Sequence, residues 1–63
     1  MSDQIKAVAF RIRDLREIMG MEQSEVAEKS GVPYAEYVAY EEGEKDFSFS
    51  HLFNIASTES LMV

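Results

Sequence analysis

Residues 23–42 read QSEVAEKSGVPYAEYVAYEE, and this stretch decides the fold. Gly31 lies in its middle, where a chain that turns sharply between two helices adopts a positive φ that glycine tolerates at little cost. Ala27 is a very small residue, so a second helix can cross the first one closely at that point. Val32 and Tyr37 supply apolar side chains at positions that face inward. The stretch therefore predicts two short helices joined by a tight turn.

Helical periodicity continues on both sides of this stretch, and no segment has the alternation of a strand. Ile5, Val8 and Ile12 recur at spacings of three and four before Gly20, which predicts an amphipathic first helix. The predicted helices span about 3–19, 23–30, 33–42 and 48–57. The tail after residue 57 either continues the fourth helix or begins a fifth. We therefore expect one all-α domain over residues 1–63, a compact four- or five-helix bundle.

Several residues predict where these helices begin and end. Ser2 or Asp3 is expected to cap the first helix. Pro33 suits the first position of the third helix, and Gly43 a left-handed position at its end. Ser48 is a good N-cap for the fourth helix. Aromatic side chains in and beside that helix, including those of Phe49 and Phe53, are expected to anchor the core or the preceding loop.

Composition excludes several classes of protein. The 63 residues contain no cysteine and one histidine, so a thiolate site and a histidine-based metal site are not expected. No apolar run approaches the ~18 residues that a membrane span needs. The N-terminus mixes acidic and basic residues without a small-residue cleavage site, so it is not a signal peptide. We expect a cytoplasmic protein with no cofactor.

The charge is strongly acidic and unevenly distributed. The net charge is −6, with 12 acidic and 6 basic residues. Four of the basic residues lie in the first 16 positions, and only Lys29 and Lys45 follow. Proteins that bind free DNA gain much of their affinity by neutralising phosphates with basic side chains. Charge alone therefore argues against tight DNA binding.

The segments RIRDLREIMGMEQSEVAEKSGV (11–32) and EYVAYEEGEKDFSFSHLFNIA (36–56) resemble the phage-repressor-like (XRE) helix-turn-helix family. The resemblance rests on a basic first helix, on Gln-x-x-x-Ala-x-x-x-Gly ending at Gly31, and on Glu-x-Gly-x-Lys ending at Lys45. It implies a lambda-repressor-like fold and a role in transcription regulation through double-stranded DNA. Residues 36–49 also look like the N-terminal domain of regulators that continue into a cupin-type barrel, which would sense a small molecule.

The resemblance also implies roles for individual residues. Arg16 and Glu41 match a pair that, in such proteins, forms a salt bridge closing the first helix onto the motif. Gln23 matches a glutamine that contacts a phosphate and braces the recognition helix, although an ordinary polar residue at a helix start is an equal alternative. The candidate DNA-contacting residues are Gln23, Ser24, Pro33, Tyr34, Ala35, Val38 and Lys45.

The predicted recognition helix departs from the family at its reading surface. PYAEYVAYEE contains three carboxylates and no lysine or arginine. Ala35 and Val38 can contact only a thymine methyl group, whereas Arg, Lys, Gln and Asn read base edges through hydrogen bonds. Tyr34 has one hydroxyl with which to contact a base or phosphate. Glu42 stands where basic residues are frequent in the family. The sequence therefore predicts weak reading of DNA.

Other polar groups in the sequence have simpler explanations than a reactive site. Glu41, Glu42, Glu44 and Asp46 surround Gly43 without the ligand spacing of a calcium loop, so a solvated acidic surface is expected. His51 has no acidic or nucleophilic partner at useful spacing and is expected to be exposed. The sequence therefore predicts that the chain is not an enzyme.

Two hypotheses of function follow from these features. The first is the DNA-binding domain of a transcription regulator that binds DNA as a homodimer, and one route to that dimer is a C-terminal region outside this chain. The second is a helix-turn-helix fold used as an acidic protein-interaction or dimerisation module. The charge of the surface around the third helix distinguishes them.

Overall fold

The computed structural model describes the backbone of residues 3–61 and the side chains of residues 3–59. Its four helices are α1 (Asp3–Ile18), α2 (Gln23–Ser30), α3 (Tyr34–Glu41) and α4 (Phe49–Leu61). Within the described residues there is no strand, so the predicted all-α bundle is confirmed. None of these helices is both long and apolar enough to cross a membrane.

The ends of α3 and α4 differ from the expected positions. Pro33 has φ −56° and ψ 138°, so it precedes α3 rather than occupying its first turn. Its carbonyl still accepts a hydrogen bond from the Tyr37 amide at 2.9 Å. Helix α4 continues to Leu61 because no glycine or proline interrupts it after Phe49. No fifth helix begins before residue 61, and the expected cap at Ser2 lies outside the described residues.

The turn between α2 and α3 is made by Gly31. Its φ is +71°, in the left-handed region that side chains with a Cβ seldom adopt. The Val32 amide donates a hydrogen bond to the Ala27 carbonyl at 2.9 Å, which satisfies one of the free carbonyls at the end of α2. Ala27 is fully buried, as the close helix crossing requires. The local sequence thus fixes the angle at which α3 leaves α2.

The core forms where α2 packs between α3 and α4. Its side chains are Ile12, Met21, Val26, Ala27, Val32, Tyr37, Tyr40 and Ile55. Tyr40 also stacks on Phe47, with ring centroids 4.5 Å apart, and this contact attaches the loop after α3 to the bundle. Tyr37 and Tyr40 lie on the inner face of α3, so this helix is held by the core along its length.

Two aromatic side chains expected to anchor the core or the preceding loop are exposed instead. Phe49 is 84% exposed and Phe53 64% exposed, whereas Ile55 is completely buried. Residues 49, 53 and 56 form one stripe of α4, and residues 52, 55 and 59 form another. The bundle buries the second stripe. The Tyr37 hydroxyl is buried as well.

Candidate nucleic-acid interface

Three polar side chains join α1, α2 and α3 next to the surface of α3 that is the candidate for contacting DNA. Arg16 donates from Nε to Oε2 of Glu41 at 2.7 Å and from Nη2 to Oε1 at 3.2 Å. Gln23 donates from Nε2 to Oε1 of the same carboxylate at 3.0 Å. Arg16 also donates to the carbonyl of Met21 at 2.8 Å, in the turn after α1. We call Arg16, Gln23 and Glu41 the clamp.

The clamp stabilises a carboxylate that is almost fully buried. The Glu41 side chain is 1% exposed, and that of Arg16 is 12% exposed. Burial by itself would raise the pKa of Glu41, but the hydrogen bonds from Arg16 and Gln23 outweigh it and lower that pKa. The hydrogen bond to Glu41 likewise raises the pKa of Arg16. Both groups therefore stay charged, and the end of α3 is fixed to α1 and α2.

The candidate DNA-contacting residues lie at different depths. Ser24, Pro33, Tyr34, Ala35 and Lys45 are exposed, while Gln23 and Val38 are half-buried. The Gln23 amide nitrogen donates to Glu41, so the side chain braces α3 rather than extending freely into solvent. The exposed candidates on α3 and its cap are confined to the start of the helix. This short surface is the part of α3 that is free to contact a partner.

A second polar cluster lies beside this surface and includes Lys45. The Lys45 ammonium lies 3.2 Å from Oε1 of Glu36, and His51 Nδ1 lies 3.4 Å from Oε2. The Tyr40 hydroxyl is 2.7 Å from the same histidine nitrogen. The hydrogen bond from Lys45 lowers the pKa of Glu36. We call Glu36, Tyr40, Lys45 and His51 the surface cluster.

The surface cluster corrects the expectation that His51 is exposed and lacks an acidic partner. Its side chain is only 26% exposed, because its ring contacts Glu36 and Tyr40 of α3. Ser48 caps α4 and accepts a hydrogen bond from the His51 amide at 3.3 Å. This contact was not predicted, because His51 lies 15 positions after Glu36 in the sequence. The spacing of four between Glu36 and Tyr40 was the available signal, since it places both on one side of α3.

The surface around α2 and α3 contains no unpaired basic side chain in residues 19–48, all of which the structure describes. This segment has eight acidic and two basic residues, a net charge of −6. Lys29 pairs with Glu25 at 3.4 Å, and Lys45 pairs with Glu36 at 3.2 Å. On α1, Lys6 and Arg13 line a depression together with Glu42 and Gly43. Any phosphate would meet a predominantly acidic surface.

The starts of α2 and α3 offer backbone donors in place of basic side chains. Glu22 and Pro33 occupy the N-cap positions, and neither makes a side-chain capping hydrogen bond. The first amide groups of a helix point outward and carry the positive end of the helix dipole. Phosphate groups bind at such helix starts. This is the favourable electrostatic feature that the two helices retain.

Glu59 forms a second buried carboxylate, on the inner stripe of α4 next to Ile55. The residue is 3% exposed, and neither carboxylate oxygen has a hydrogen-bond partner among the described residues. Burial, reinforced by the charge of Glu41, raises the pKa of Glu59 to about 7. Unlike Glu41, Glu59 favours the folded state of the domain more when its carboxyl group is protonated. Its burial was not predictable from residue type, because glutamate is seldom buried without a partner.

Comparison with known proteins gives one finding. A family model described as helix-turn-helix matches residues 12–58, which is most of the chain and includes α2, the Gly31 turn and α3. The match gives no support for the cupin-type barrel suggested by residues 36–49. No curated protein and no solved structure matches the chain.

Proposed function

Because the chain belongs to the XRE-type helix-turn-helix family, we propose that it is the DNA-binding domain of a transcription regulator and binds as a homodimer. In this arrangement α3 enters the major groove, and two copies contact the two halves of a palindromic site. The observation that carries the proposal is the clamp. It fixes α3 to α1 and α2 and leaves the exposed start of α3 free to contact DNA.

Phosphate contacts would come mainly from the backbone. The amide groups at the start of α2, beside Ser24, and at the start of α3, after Pro33, have no capping side chain. Lys45 would contribute only after leaving Glu36. We expect about two to four phosphate contacts per subunit, compared with the ~6–10 of strong binders.

Sequence preference would depend on few side chains. Tyr34 is 55% exposed and has the one long uncharged polar side chain in the first turn of α3. Ala35 and the half-buried Val38 are suited to thymine methyl groups rather than to the polar edges of guanine or adenine. The expected operator is therefore rich in thymine at the contacted positions, with modest discrimination. Weak individual contacts also make binding dependent on two copies acting together.

A second candidate function rests on the charge of the same surface. Residues 19–48 carry a net charge of −6, and both of their lysines are paired. Such a surface complements a basic protein partner better than it complements phosphate. The alternative is an acidic interaction module that keeps the helix-turn-helix fold but does not bind DNA.

Selection from randomised DNA duplexes, followed by titration of the enriched duplex over a salt series, tests the proposal. We expect enrichment of a two-fold symmetric, thymine-rich site and a salt slope corresponding to about two to four contacts per subunit. Tyr34→Ala should weaken binding to the enriched duplex by about tenfold and to random duplex by less. Absence of any enrichment at low salt would favour the interaction module.

A further inference from the structure

An apolar groove runs between α1 and α4, on helices that do not form the candidate nucleic-acid interface. Its volume is about 430 Å³. The apolar lining residues are Ala7, Val8, Ile12, Leu15, Leu52 and Ala56. Leu15 is 37% exposed and Ala56 is also exposed, so the groove is open to solvent along both helices. A small chain that exposes such a surface can gain stability by covering it.

The distribution of charge indicates what can cover the groove. Helices α1 and α4 together have four acidic and four basic residues, so this side of the molecule carries no net charge. Residues 19–48 carry the entire net charge of −6. Two copies that met through α2 and α3 would repel each other, whereas copies that meet through α1 and α4 would not. The groove side is therefore suited to self-association.

Two unpaired charges of opposite sign lie on α1 beside the groove. Arg11 lines the groove, and Arg11 and Asp14 both line an adjoining depression with Phe10. Neither forms an ion pair in the part of the chain that the structure describes, although Arg13 and Arg16 do. In a two-fold symmetric interface the same surface meets itself, so an unpaired Arg and Asp on one surface can pair across the axis.

We propose that the groove between α1 and α4 is the interface of a homodimer. In it α1 packs antiparallel against α1 of the second copy, and Arg11 of each copy pairs with Asp14 of the partner subunit. A standard interface covers about 800 Å² per subunit, roughly a fifth of the 4174 Å² surface of this chain. The inference deepens the dimeric arrangement of the proposed function and leaves α3 exposed.

Sedimentation equilibrium without DNA tests the interface, with circular dichroism to verify folding. Over about 1 µM to 1 mM protein, the wild type should change reversibly from monomer to dimer. Leu15→Glu places a charge in the groove and should weaken association at least about tenfold. Tyr34→Glu is the control, because Tyr34 is a 55% exposed aromatic residue of α3 that does not line the groove. It should change association by less than about twofold.

A charge-reversal cycle tests the antiparallel pairing. Arg11→Glu and Asp14→Arg should each weaken the dimer, and the double variant should recover most of the wild-type association. A wild type that stays monomeric at about 1 mM, a Tyr34→Glu effect equal to that of Leu15→Glu, or a double variant no better than the singles would overturn the inference. If the wild type stays monomeric but binds DNA, only the interface is wrong. If it dimerises but binds no DNA, only the proposed function is wrong.

Discussion

The inner and outer faces of α3 satisfy different requirements. The inner face presents Tyr37, Tyr40 and Glu41, which are all buried. These residues provide the contacts that the helix-turn-helix fold requires of α3. The outer face presents Tyr34 and Ala35 and has Glu36 and the following Glu42 beside them. It lacks the basic and amide side chains that read DNA in most such helices. Membership of a fold family therefore depends on one face, while binding strength depends on the other.

The two faces also differ in how their carboxylates are used. Glu41 is buried and receives hydrogen bonds from Arg16 and Gln23, which fix the position of α3. Glu36 is half-exposed and pairs with Lys45, the basic residue that could otherwise contact phosphate. An ion pair near the surface contributes little to stability. The first carboxylate thus supports the fold, and the second reduces the positive charge available to DNA.

The largest difference is expected between two tyrosines three positions apart on α3. Tyr37 is completely buried, so Tyr37→Ala should destabilise the domain by about 3–5 kcal/mol, the cost of removing a large core aromatic. Tyr34 is 55% exposed, and Tyr34→Ala should change the free energy of unfolding by less than about 0.5 kcal/mol. Denaturant unfolding measures both. Similar losses in the two variants would show that the faces are assigned wrongly.

The clamp should give the next largest effect. Arg16→Ala and Glu41→Ala should each cost about 3 kcal/mol of unfolding free energy, because each leaves a charged partner in a desolvated site. The double variant should lose less than the sum of the two. Glu42→Ala, at the exposed neighbouring position, is the control and should change stability by less than about 0.5 kcal/mol. Additive losses from Arg16→Ala and Glu41→Ala would mean that the contact contributes no coupling.

The raised pKa of Glu59 predicts that its contribution to stability depends on pH in the direction opposite to that of Glu41. A carboxyl group with a raised folded-state pKa contributes stability below its unfolded value, and this is lost as the pH rises through the folded value. For Glu59 this stability is lost as the pH rises from about 4.5 to about 7. Glu41 has a lowered pKa, so its contribution is present above pH 4.5 and is lost in more acidic solution.

Glu59→Gln isolates the first of these two contributions. The variant should be more stable than the wild type by up to about 3 kcal/mol at pH 8 and nearly equal at pH 4, because glutamine stays neutral. Thermal or urea unfolding at several pH values measures the difference. Glu28→Gln, at an exposed position of α2, should keep the wild-type pH profile. Parallel profiles for Glu59→Gln and the wild type would contradict the burial of an unpaired carboxylate.

Local sequence rules predicted the fold because they act within a few residues. Gly31 and Ala27 determine the turn and the close crossing, and the apolar spacing of α1 identifies its inner face. The buried face of α4 was harder to predict, since Phe49 and Phe53 form a second apolar stripe beside Leu52 and Ile55. Periodicity alone cannot choose between two such stripes. Packing against α2 makes that choice, and it also buries Glu59.

The candidate site was less predictable because its contacts cross a loop. The loop between Glu42 and Ser48 determines that Lys45 reaches Glu36 and that His51 turns toward Tyr40. No spacing rule gives the path of such a loop. The types of residue on α3 predict a surface with little affinity for phosphate. The pairing of the remaining lysine followed only from the three-dimensional arrangement.

The central claim is that α3 faces DNA despite its acidic outer surface. A salt-series titration with duplex DNA should compare the wild type with the double variant Glu36→Gln, Glu42→Gln. The control double variant Asp3→Asn, Glu28→Gln makes the same change in net charge at two exposed positions outside α3. If α3 lies in the groove, the first variant loses repulsion and frees Lys45, so its affinity should rise about tenfold at low salt and by less at high salt. The control should gain much less. Equal behaviour of the two variants, or no gain in either, would contradict the claim and favour the acidic interaction module.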